Sequence, residues 1–319
     1  MSFTIIGTGA GLPKTIQTNE DLAQFLDTSH DWIVTRTGIE ARHICVTESI
    51  LDIALEASVN ALENAKIKAQ ELDLIICPTL GGDTVTPSLA CLIQDQLGAT
   101  CPSFDLNAAC SGFVYGLDVA DAYFSRNNDM NILVIAVDAM SKLIDWQDRA
   151  TAVLFGDGAG AAVLAGGNSL KAIQLTAVGN QHALSIPWPK GNHPLTKNRS
   201  NPEPYLLMDG PEVYRFAVAA ICNDLRAVTK AAGIELADVD YIIPHQANLR
   251  IIEGAAKRLK IPLDKFVMRV NGCGNTSAAS IPLVLDELNR NGQFKSGTRI
   301  ALTAFGGGLT TGACVIEWA

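Results

Sequence analysis

The sequence predicts an α/β protein built from two duplicated halves, and three observations lead there. Short apolar runs that read as buried strands alternate with longer stretches whose apolar residues recur at helical spacing, the alternation expected of an α/β fold. The segment IKAQELDLII, residues 67–76, aligns without gaps on IELADVDYII, residues 234–243, an offset of 167 residues. Two more pairs follow in the same order, LNAAC (106–110) with VNGCGN (270–275) and FGDGAGAAVL (155–164) with FGGGLTTGACVI (305–316). Three ordered matches imply duplication. AGGNS, around Gly167, reads as a turn, which divides the chain into 1–167, carrying a candidate nucleophile, and 168–319, carrying a candidate histidine and asparagine.

In chain order, a short strand precedes Gly7-Thr8-Gly9-Ala10-Gly11, which mimics half of a dinucleotide fingerprint, but Pro13 follows and no amphipathic helix opens there. Ile50–Ala65 has helical periodicity, and Leu74–Cys77 is a short apolar strand. Phe113, Leu117, Ala120 and Phe124 share one helical face, so a buried helix begins at or just before Cys110. Ile132–Val137 is a second buried strand; Gly156–Gly160 reads as a tight turn before the strand AAVL. In the second half Tyr241–Ile243 and Arg299–Leu302 are strands, and Ile281–Leu288 is a helix.

The chain has 319 residues, 48% hydrophobic and 18% charged, enough to bury a large core. No apolar run approaches the roughly 18 residues of a membrane-spanning helix, and MSFTIIGTG lacks the basic start of a secretory signal. A cytoplasmic location without membrane association is expected. The eight cysteines show neither Cys-x-x-Cys pairs nor zinc spacing, so reduced thiols and no metal are expected. The net charge of -9 weighs against nucleic acid, so an acidic partner would have to meet a local basic patch.

Cys110 is the candidate nucleophile, because only a thiolate attacks readily and a helix N-terminus lowers a thiol pKa. A small buried core cysteine is the competing reading, and it suits the other seven. The repeat decides between them. His245 follows a second-half strand, at the position matching Pro78, and Asn275 sits at the turn matching that of Cys110, so duplication brings both to the thiol.

AACSGF, DRATAVLFGDGAGA, PHQANLRI, GNTSAASIP and AFGGGLTTG together resemble the signatures of β-ketoacyl-acyl carrier protein synthase III. The resemblance runs from the first strand to the C-terminus. It implies a thiolase-like five-layered αβαβα fold and a Cys110, His245 and Asn275 triad for decarboxylative condensation of an acyl-CoA primer with malonyl-acyl carrier protein. That reaction initiates type II fatty-acid synthesis, and acyl-CoA is a substrate rather than a cofactor. It further implies oxyanion donors at the backbone of Cys110 and Gly307, and a clamp on coenzyme A from Trp32, Arg36, Arg149, Asn248 and Arg250. The acyl pocket would involve Leu207, Phe305 and, across a homodimer interface, Thr86. Family members with a bulky aromatic at that last position take very short primers, so Thr86 implies longer ones. Arg250, Lys257 and Arg258, with Lys260 alongside, offer an acidic carrier protein a basic helix face. The alternatives are a specialised acyl-CoA condensing paralogue, a nicotinamide-dependent oxidoreductase built on Gly7–Gly11, and a catalytically dead scaffold.

Overall fold

A computed structural model describes residues 2–188 and 203–319. Residues up to Gly167 form strands β1 (Ser2–Gly11), β2 (Thr15–Thr18), β3 (Ala41–Ile44), β4 (Leu74–Pro78), β5 (Ser103–Leu106), β6 (Asn131–Ala139) and β7 (Asp157–Gly167). Their helices are α1 (Asn19–Leu22), α2 (His30–Thr37), α3 (Ile50–Ala65), α4 (Leu89–Leu97), α5 (Gly112–Phe124) and α6 (Arg149–Ala152). From Leu170 onward come β8 (Leu170–Ala177), β9 (Leu184–Ser185), β10 (Leu207–Met208), β11 (Tyr241–Pro244), β12 (Arg299–Gly306) and β13 (Thr310–Glu317). The helices there are α7 (Gly210–Ala231), α8 (Leu249–Leu259), α9 (Val270–Cys273) and α10 (Ser280–Arg290).

Two sheets repeat one topology. The first has the order β1-β7-β6-β4-β5 and the second β8-β13-β12-β11. In each, the first two pairings are antiparallel and the next is parallel. Where the first sheet adds β5, the second has a single parallel bridge from Ile242 to Phe266. A duplicated sequence thus folds into a duplicated sheet.

Strand parity sorts the side chains into layers. On β6, Ile132, Val134 and Ala136 face a central core shared with α5, α10 and the second sheet. The alternate residues Leu133, Ile135 and Val137 pack outward with α3 and α4. The second sheet sends Ile242, Ala301 and Phe305 outward against α7 and α8. The result is helix, sheet, helix, sheet, helix: the five layers expected. Helix α3 begins where Ser49 and Asp52 cap it reciprocally. Among the described residues no helix is long and apolar enough to cross a membrane.

Two glycine stretches differ from expectation. Gly7–Gly11 lies inside β1, and Gly156–Gly160 runs into β7 instead of forming a tight turn. The cause is close approach of helix to sheet. A Cβ on Gly9 would collide with the Ala57 carbonyl oxygen and Ala61 nitrogen of α3, and one on Gly160 would lie 2.7 Å from the Leu283 nitrogen of α10. These glycines serve helix packing, and no phosphate loop forms there. Gly9→Ala is therefore expected to destabilise the fold by about 1–3 kcal/mol, read by urea unfolding; wild-type stability would contradict this packing of α3 on β1.

Candidate active site

The thiol sits at a strand-to-helix corner. After β5 the chain turns through Ala109, whose φ is 48°, passes a 3₁₀ turn over Ala109–Ser111 and enters α5 at Gly112. A left-handed alanine costs about 1–2 kcal/mol, so neighbours must hold it. The Thr310 hydroxyl lies 3.0 Å from the Ala108 carbonyl oxygen and 3.1 Å from that of Gly307. The Ser111 hydroxyl donates to the Thr310 carbonyl at 3.2 Å. Gly306 presses so closely that a Cβ there would lie 2.7 Å from the Cys110 nitrogen.

The second half repeats this corner. Ser277 has φ 51°, a 3₁₀ turn spans Ser277–Ala279, and α10 starts at Ser280. The two corners meet, leaving the Ser277 hydroxyl 3.5 Å from Cys110 Sγ. Two residues before Ser277, Asn275 is pinned by its backbone, its nitrogen donating to Leu154 at 2.9 Å and its carbonyl accepting from Gly156 at 3.1 Å. Its side-chain Oδ1 accepts the Ser277 N–H at 2.9 Å, which leaves the amide NH₂ as a donor.

His245 follows β11, its N–H donating to the Thr303 carbonyl at 2.8 Å. Its ring is 2% exposed, packs edge-on to Phe305 at 5.2 Å and places Nδ1 2.7 Å from the Ser280 hydroxyl oxygen. Burial lowers its pKa to about 3, so the imidazole is neutral at ordinary pH.

The expected lowering of the Cys110 pKa by the helix start is overturned. Burial pushes the thiol up to about 12, and the Asp138 carboxylate adds to the rise against the opposing Ser277 hydroxyl and backbone contacts. Asp138, at the end of β6, is itself raised to about 6 by burial while accepting from Leu80 N–H at 2.7 Å. The resting site therefore pairs a neutral thiol with a neutral imidazole, not a thiolate with an imidazolium.

One cavity of about 600 Å³ joins Cys110, His245, Asn275, Phe305 and Gly307 to Trp32, Arg36, Asn248 and Arg250. The Arg36 guanidinium lies 4.4 Å and that of Arg149 4.8 Å from the Trp32 ring centre, ready-made stacking partners. Asn248 also caps α8, accepting the Arg250 N–H at 2.9 Å. Leu207 is a correction: it is 59% exposed, while its neighbours Leu206 and Met208 line the cavity, because alternate residues of β10 face opposite ways. Thr86 is exposed and outside the cavity of its own chain. Lys257 and Arg258 are exposed on the last turn of α8, also outside it. Sequence reasoning missed Asp138, Ser277, Ser280 and Gly306. An acid closing an apolar strand was the available signal for Asp138; for the serines there was only their place within GNTSAAS.

Known proteins resemble the chain over nearly its whole length. Family models described as 3-oxoacyl-[acyl-carrier-protein (ACP)] synthase III and its C-terminal part match residues 104–180 and 229–318. The chain is 42% identical over 321 residues to the β-ketoacyl-[acyl-carrier-protein] synthase III of Clostridium acetobutylicum, covering 99% of both chains. It is similar to the crystal structure of 3-oxoacyl-[acyl-carrier-protein] synthase III from Aquifex aeolicus, with TM-score 0.92 and 42% identity over 99% of this chain and 100% of that one. The priming β-ketosynthase of the R1128 polyketide pathway matches at TM-score 0.92 and 33% identity, covering 99% of this chain and 96% of that one.

A thiol with a pKa near 12 gains about tenfold in thiolate per pH unit well below that value. Alkylation of Cys110 by iodoacetamide, followed by peptide mass mapping, is therefore expected to accelerate steadily from pH 6 to 9; a plateau below pH 8 would reveal a thiolate–imidazolium pair instead.

Proposed function

The chain belongs to the β-ketoacyl-[acyl-carrier-protein] synthase III family, acyltransferases that initiate fatty-acid synthesis by condensation, and on that premise we propose how its own residues divide the reaction. The observation that carries the proposal is the single cavity joining one thiol to two neutral hydrogen-bond donors. Cys110 Sγ attacks the thioester carbonyl of an acyl-CoA; coenzyme A leaves with the proton, and the acyl group stays on sulfur. The malonyl thioester of the carrier protein then loses carbon dioxide. Its enolate oxygen takes hydrogen bonds from His245 and Asn275, and a neutral imidazole suits that task because it donates without surrendering its proton. The carbanion attacks the acyl carbonyl, a carbon–carbon bond forms, and the sulfur of Cys110 leaves. The N–H groups of Cys110 and Gly307 hold the tetrahedral oxyanion.

Trp32, Arg36 and Arg149 take the adenine nucleotide of coenzyme A, by stacking and phosphate pairing, and Asn248 and Arg250 the pantetheine side. Within a homodimer, Thr86 of the partner subunit would close the acyl pocket beside Phe305, leaving room for primers longer than acetyl. The edge strand β5, paired on one side only among the described residues, supports such a dimer. The carrier protein docks on the α8 face of Arg250, Lys257 and Arg258. The similarity to a polyketide-priming ketosynthase makes a specialised primer the second reading, with the same division of roles.

Incubation with acyl-CoA is expected to add one acyl group, seen by intact-protein mass spectrometry, and none to Cys110→Ala. His245→Ala and Asn275→Ala should still acylate but lose malonyl decarboxylation by about two to three orders of magnitude. Full condensation by either variant would refute the donor roles. Reversing Lys257 and Arg258 to glutamate should raise KM for the carrier-bound malonyl substrate while leaving acylation by acyl-CoA intact; equal loss of both would place docking elsewhere.

A further inference from the structure

Ser280 is the one side chain hydrogen-bonded to the His245 ring among the described residues. Its hydroxyl oxygen lies 2.7 Å from Nδ1 and 3.3 Å from the Gln246 backbone nitrogen. Gln246 cannot turn away. Its side-chain Nε2 donates to the carbonyls of Pro244 at 2.6 Å and Val267 at 3.1 Å, and its Oε1 accepts the Arg269 N–H at 2.7 Å. We propose that Ser280 is a positioning residue that sets the tautomer of His245: its hydroxyl donates to Nδ1, so the ring proton stays on Nε2, the nitrogen left to meet the thioester oxygen.

Proton counting carries the argument. A serine hydroxyl has one proton and two lone pairs. The Gln246 N–H can only donate, so it occupies one lone pair. Were Nδ1–H also to donate, the hydroxyl proton of a side chain only 3% exposed would have no acceptor among the described protein groups, and a buried unmade hydrogen bond is costly. Nε2 would then present a lone pair to an oxyanion. With the hydroxyl donating to Nδ1, each proton has an acceptor and Nε2–H remains for the substrate. Fixing one ring nitrogen to define the other is the general logic by which a histidine's neighbour selects its tautomer.

The inference rests on the reading of His245 as an enolate donor, and the test separates the two. Histidine-labelled protein gives a ¹⁵N spectrum that reports the His245 tautomer directly at neutral pH. Wild type and Ser280→Thr, which keeps the hydroxyl, are expected in the Nε2–H form. Ser280→Ala should shift toward Nδ1–H. Its kcat for malonyl decarboxylation should fall about 10- to 100-fold, the range for removing a group that orients a working histidine, with KM and Cys110 acylation unchanged. If Ser280→Ala does not fold, Ser280→Cys, a weaker donor, reads the same shift in smaller degree. An Nε2–H spectrum in the variant that lacks the donor would overturn the proposal. A tautomer shift with undiminished decarboxylation would uphold it and sink the donor role of His245.

Discussion

Everything at this site depends on two helices, α5 and α10, both being buried between the two sheets with their N-terminal corners in contact. The corners can meet only because each chain segment turns sharply, with Ala109 and Ser277 both in the left-handed region. Gly306 then brings the end of β12 onto the Cys110 backbone, where any side chain would collide. Strain at two non-glycine residues persists because the surrounding sheets and the Thr310 hydroxyl over-determine the geometry. The thiol is thus held rigidly at a junction to which both halves contribute.

Burial then decides the electrostatics. Removing water raises the Cys110 thiol, raises Asp138 and lowers His245, each toward its neutral form. The one deeply buried cation among the described residues, Arg42, is held by neutral acceptors, the Asn19 side chain and the Val153 carbonyl, both at 2.9 Å. It braces the Gly156 and Gly274 turns that flank Asn275. A neutral thiol beside a neutral imidazole suits a reaction whose charge develops on an enolate and a tetrahedral oxyanion, since fixed donors are worth more where burial limits competition from water.

Much of this was legible in the sequence. Ile50–Ala65 is a helix at the residues its periodicity indicated, and the apolar runs at 74, 132, 241 and 299 are strands, because burial on both faces leaves an unambiguous apolar signal. The gathering of Cys110, His245 and Asn275 into one cavity followed from the repeat. What failed depended on contacts that a linear reading does not contain. Glycines inside β1 and β7 mimic turns because their reason for being is a helix backbone passing overhead. Leu207 came from the resemblance alone, and its exposure turns on the local direction of the chain there, which sends Leu206 and Met208 into the cavity instead. The Cys110 pKa moved opposite to expectation because helix position is visible in sequence and desolvation is not.

The duplication also sets an apolar contact in one half against a polar one in the other. By the repeat, Pro78 matches His245, and the conformations of the two corners match Gly112 with Ser280. In the first half, Pro78 packs directly on α5, close enough that a Cβ on Gly112 would lie 2.9 Å from its ring. In the second half the same pair of positions is bridged by the His245–Ser280 hydrogen bond. One contact, the end of a strand against the first residue of the buried helix later in the same half, is therefore kept in both halves with different chemistry. The first half spends it on close packing that seats the nucleophile's helix. The second half uses it to orient an imidazole, and the division of labour between nucleophile and donors follows from breaking the symmetry at that contact.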